Sequence, residues 1–177
     1  MLRWRAMAKA GDSHRQGDAA QPAWAQPALL AVSFLLLTLE LAQIRLFSYS
    51  LFPTVVYVAI AITLLGLGAG ATVLAMSPRL RAADPRRLTA AACLGFAAAV
   101  PLAHLAFAHL VEPRKVAGLG EYPALAALLA GLTVPHFLLG LAIARLLSGP
   151  AESANSIGGV HRLYFANLLG SSLGCLA

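Results

Sequence analysis

Charge is scarce in this sequence. Asp, Glu, Lys and Arg together make up 11% of its 177 residues, where a soluble domain carries about 25%. Too few charges are present to clothe a water-facing surface, and the mean hydropathy of +0.76 is that of an integral membrane protein. Aromatic residues are also sparse, at 7%. The apolar content is therefore mostly Ala, Leu and Gly, which suits close packing of small-residue helices better than an aromatic-rich soluble core. Cysteine is nearly absent: Cys93 and Cys175 both fall in apolar segments, with no CxxC or Cys/His spacing around them. That excludes a disulfide framework and a zinc site, and both thiols are expected to be structural and buried.

The net charge of +6 would suggest nucleic acid if it formed a patch on a soluble domain. Here the cations stand at the ends of apolar runs, which is the positive-inside pattern of membrane topology, so no nucleic-acid partner is expected. Residues 1–26 are polar, contain Arg3, Arg5, Lys9 and Arg15, and read as a cytosolic tail without a cleavable signal peptide.

Apolar runs make up most of the remainder. Residues 27–48, 52–76, 88–111, 123–147 and 161–177 predict an all-α, polytopic transmembrane bundle of about five spans within a membrane domain at 27–177. The last run is short, so the chain is expected to be a fragment whose C-terminal continuation is a partner within the same polypeptide. The Arg-rich segment 77–87 and the Gly/Ser-rich segment 148–160 are expected as cytosolic loops, and the mixed-charge segment 112–122 as an external one. The expected location is the inner (plasma) membrane of bacterial type, with the N-terminus in the cytosol and the lipid bilayer as the first partner.

Within the spans, polar residues stand out because lipid offers them nothing. Glu40 lies near the middle of the first span, with Gln43 and Arg45 close behind. An ionised carboxylate at that depth costs about 2.5–3.5 kcal/mol on insertion scales, so it should face protein. Glu40 and Arg45 are about 140° apart on a helix, which makes a direct bridge between them poor. His136 follows Pro135, whose missing N–H leaves the Gly131 carbonyl free for a side chain, water or bound group. Asn167, with Gly170, Ser171 and Gly174, forms a small polar stripe. Glu40, Gln43, Arg45, His136 and Asn167 are thus the candidates for a substrate-binding or structural polar network, with no catalytic residue and no metal-ligand set among them. Gly66 and Gly70, Gly140, Gly170 and Gly174 are the candidate helix-packing glycines, whose faces also suit a homo-oligomer. Pro101 is expected to kink the third span.

Three blocks carry a family resemblance. E-L-A-Q-I-R holds Glu40 and Arg45; P-H-F-L-L-G holds Pro135 and Gly140; and G-G-V-H-R-L-Y-F-A-N-L-L-G-S-S-L-G holds Tyr164, Asn167, Gly170 and Gly174. In order and spacing they resemble the membrane region of multi-spanning spermidine synthase-like proteins, whose cytosolic part is a polyamine aminopropyltransferase-like Rossmann domain. His136 and Gln43 depart from that pattern, and the Rossmann half has no counterpart here. The resemblance implies a membrane domain that anchors, and feeds, a transferase-like domain using decarboxylated S-adenosylmethionine or a related nucleotide. No cofactor is expected in these 177 residues themselves. The alternatives that composition leaves open are a small transporter-like bundle for a cationic solute and a purely structural membrane subunit.

Overall fold

A backbone surrounded by lipid must satisfy its hydrogen bonds within each segment, so long apolar runs become helices. The computed structural model describes residues 22–50, 53–110, 122–148 and 157–177. Among them there is no strand. The elements are α1 (Ala25–Ser50), α2 (Pro53–Met76), α3 (Pro78–Ala82), α4 (Pro85–Leu110), α5 (Tyr122–Leu147) and α6 (Ile157–Leu176). Most of the polar tail, the external loop and most of the Gly/Ser loop anticipated from the sequence lie outside the described residues.

Four stretches, Ala25–Tyr49, Val56–Met76, Pro85–His109 and Ala130–Leu147, are long and apolar enough to cross a membrane. These belong to α1, α2, α4 and α5. The sixth helix, α6, has 20 residues, about 30 Å at 1.5 Å per residue, but His161, Arg162, Asn167 and two serines make it more polar. It also begins at Ile157 rather than at residue 161, because Gly158 and Gly159 join the helix instead of ending the loop.

Three helices open on proline, at Pro53, Pro78 and Pro85, where the missing N–H leaves no hydrogen bond unmade. The segment read as an Arg-rich loop contains α3, a single turn started by the Ser77 hydroxyl, which accepts from the Leu80 N–H at 3.4 Å. Five residues are too few for any apolar periodicity, which is why the sequence reads as loop. Asp84 then caps α4 by accepting from the Arg86 N–H at 3.1 Å. Both internal prolines, Pro101 in α4 and Pro135 in α5, sit within helices that continue past them.

α5 is the central element. Of its apolar stretch 44% is buried, against 11% for that of α4. It packs on α2, α4 and α1, while α6 packs chiefly on α1. The directions follow from which residues meet. Gly170 and Gly174 of α6 face Leu30 and Phe34 of α1, so these two helices are parallel. Gly66 and Gly70 of α2 face Thr133 and Phe137 of α5, again parallel. α1 meets α5 in reverse order: Phe47 clusters with Leu132, Leu36 with Leu139, and Leu29 with Leu146. Successive long helices thus alternate in direction, and Arg79, Arg81, Arg86, Arg87, Arg145 and Arg162 all gather at one end of the bundle. There the Arg145 guanidinium donates to the Ala83 carbonyl at 3.0 Å and ties α5 to the end of α3.

The predicted packing glycines all sit at helix contacts. At Gly140 the space for a Cβ is already taken by the Leu67 backbone, its oxygen 2.5 Å away. At Gly170 the same place is filled by the Leu30 carbonyl. By contrast, Leu64, Leu65, Leu94, Leu102 and Phe165 are exposed on the outside, an apolar surface suited to lipid. The thiols differ from expectation: Cys93 is half-buried and Cys175 exposed, because an apolar solvent removes the drive to bury a small apolar side chain.

Candidate functional site

Of the three apolar clusters along the bundle core, two bracket its polar part. One joins Phe47, Ala59, Phe107 and Leu132; the other joins Val32, Leu36, Ala92, Leu139 and Ala142. Between them each of three helices places a buried polar side chain. On α5, His136 lies four residues after Leu132 and three before Leu139. On α1, Gln43 lies seven after Leu36 and four before Phe47. On α2, Thr63 follows Ala59 by four and precedes Leu67, which packs on the second cluster. Steps of three and four keep a residue on one helix face, so these three side chains occupy one layer. Exposure is 3% for Gln43, 4% for Thr63 and 0% for His136.

The layer is only partly satisfied. The Thr63 hydroxyl donates to the Ala59 carbonyl at 2.9 Å. His136 Nδ1 donates to the Leu132 carbonyl at 2.8 Å, so in the neutral ring Nε2 is a bare acceptor. That Nε2 is buried with no partner among the described residues, and so is Nε2 of Gln43. His136 leaves the Gly131 carbonyl freed by Pro135 aside: its ring bonds the next carbonyl along, that of Leu132. Gly66 brings the α2 backbone up against the histidine, with room for no side chain, since a Cβ there would stand 3.0 Å from His136 Cβ.

Glu40 is on the edge of this layer, one turn before Gln43, and is half-buried. Among the described residues it has neither an ion-pair nor a hydrogen-bond partner. Arg45 is exposed and also unpaired among them. Among the described residues, therefore, Glu40 has no internal counter-charge.

Asn167 belongs elsewhere. Its side-chain oxygen accepts from the Ser33 hydroxyl at 2.6 Å, and the same hydroxyl lies 2.8 Å from the Leu29 carbonyl. One proton cannot serve both acceptors. Turning the Asn167 amide so that its nitrogen faces Ser33 satisfies the pair, an orientation that the network decides. Ser33 precedes Gln43 by ten residues, about 15 Å along the helix. The five predicted polar residues thus divide into a buried pair, Gln43 and His136; an edge carboxylate, Glu40; an outward Arg45; and a separate α1–α6 clasp at Asn167. Sequence reasoning missed Ser33 and Thr63, since each is an isolated small hydroxyl within an apolar run and only packing reveals its burial. Asn167→Leu is expected to weaken the α1–α6 contact by about 0.5–1.5 kcal/mol. Unfolding by SDS titration measures this; a variant as stable as the parent would show the clasp to be idle.

No family model, curated protein or solved structure matches this chain.

Proposed function

We propose that the chain is the membrane domain of a spermidine synthase-like protein. It anchors a transferase-like domain at the cytosolic face and offers an amine-bearing cation a contact at Glu40. The observation that carries the reading is the carboxylate itself: half-buried beside the polar layer and without a protein cation among the described residues. Carboxylates inside membrane bundles mark ion or substrate contacts when protein does not neutralise them. Gln43, whose amide can present its oxygen as readily as its nitrogen, suits an ammonium group alongside. The basic end of the bundle then faces the cytosol, as positive charge does in membrane proteins. The motif residues Gly140, Asn167 and Gly170 support the scaffold half of the reading, since each of them is at a helix contact.

The test uses the purified chain in a neutral detergent, with spermidine as the probe and sodium chloride at equal ionic strength as the control. Spermidine is expected to raise the unfolding temperature by several degrees, and Glu40→Gln to abolish that rise. An unresponsive parent, or an equal response from the variant, would sink the cation contact. The anchoring half is checked separately, by whether the coding sequence continues into a strand and glycine-rich turn.

A further inference from the structure

The strongest unexplained feature lies at the basic end, in the seam between the parallel helices α1 and α6. A recess of about 460 Å³ opens there, within the roughly 300–1,000 Å³ of ordinary ligand sites. Its mouth carries Gln26, His161 and Arg162, while Leu30, Phe165 and Leu169 line its length. From His161 to Leu169 the groove follows eight residues of α6, about 12 Å. One end is cationic and hydrogen-bonding; everything beyond it is hydrocarbon.

Arg162 has no ion-pair partner among the described residues. The described acid at this end, Asp84, is taken by Arg87 at 3.7 Å. Among the described residues that line the recess there is no carboxylate. An uncompensated guanidinium at the head of an apolar channel matches a molecule with a phosphate at one end and a hydrocarbon chain at the other. Guanidinium recognises phosphate through paired N–H donors, and basic recesses between spanning helices hold anionic headgroups.

We propose that the α1–α6 seam is a binding site for an anionic phospholipid. Its phosphate is held by Arg162, with His161 and Gln26 beside it, and one acyl chain lies along Leu30, Phe165 and Leu169. The lipid covers apolar surface that α6, with few other neighbours, leaves open, and so fastens this helix to α1. This site is independent of the proposed contact at Glu40.

The experiment measures thermal unfolding of the detergent-purified chain on titration with phosphatidylglycerol, with phosphatidylcholine and inorganic phosphate as comparisons. Phosphatidylglycerol is expected to raise the unfolding temperature by several degrees, and the other two to do little. Arg162→Gln is expected to weaken the apparent affinity about fivefold, the worth of one basic residue at an anionic surface. Arg86→Gln, at the same end but outside the recess, is expected to respond as the parent does. Equal responses to the two lipids, an equal effect of free phosphate, full retention by Arg162→Gln, or an equal loss in Arg86→Gln would each overturn the site.

Discussion

Gly140→Leu is expected to remove about 3 kcal/mol or more of stability, beyond the usual range for overpacking. A Cβ at this position would stand 2.5 Å from the Leu67 oxygen and 2.8 Å from its Cα. Both are backbone atoms, so no rotamer change relieves the clash, and α2 must move away from α5. That movement also breaks the seats at Gly66 and Gly70 on the same interface, where the Thr133 and Phe137 carbonyls fill the space for a Cβ. Gly68 supplies the internal control, because nothing stands within 4 Å of its Cβ position. Gly68→Ala is expected to be neutral or to stabilise by up to about 1 kcal/mol through helix propensity. Loss of helical signal on SDS titration of both variants decides the matter. Equal midpoints would mean that α2 and α5 are not held at backbone contact.

The second large effect runs the other way. Gln43→Met is expected to stabilise the chain by about 1–2 kcal/mol, since it replaces a buried, unpartnered donor by an apolar side chain of similar length. The same variant is expected to lose most of the response to spermidine. Stability is gained where binding is lost, as at other sites kept polar for function. If Gln43→Met instead destabilises the protein in the absence of spermidine, the amide already has a bound partner, and the layer is a closed structural network. His136→Leu provides an independent check on the same layer: removal of the bare Nε2 acceptor should stabilise in the same sense, less the bond from Nδ1 to Leu132.

These two predictions draw on different amounts of sequence information. The glycine contacts were legible as spacing: Gly66 and Gly70, and Gly170 and Gly174, mark faces without side chains. Their partners were not, because the pairing of α2 with α5 and of α1 with α6 depends on which faces meet in three dimensions. The four long helices were legible because an apolar run has no other way to satisfy its backbone in lipid. Only their ends differ by a few residues: 27–48 became Ala25–Ser50 and 88–111 became Pro85–Leu110. The polar layer was the least legible part. Glu40, Gln43 and Asn167 were grouped because each is a rare polar residue in an apolar run. At 1.5 Å per residue, however, depth separates Asn167 from Gln43, and a rotation of about 300° over three residues places Gln43 deeper than Glu40. Thr63 and Ser33 gave no signal, because small hydroxyls commonly bond their own helix.

The clasp between α1 and α6 also fixes an order of events during synthesis. Ser33 and Asn167 are 134 positions apart. At a translation rate of about 5–20 residues per second, the second follows the first by roughly 7 to 27 s. The first helix therefore spends that interval in the bilayer without its parallel neighbour. Ser33 tolerates the wait, because its hydroxyl can donate to the Leu29 carbonyl of its own helix at 2.8 Å. Meanwhile α2, α4 and α5 can already close around α1 through the two apolar clusters. α6 then docks on the face of α1 that carries Leu30 and Phe34, and Gly170 and Gly174 take their seats there.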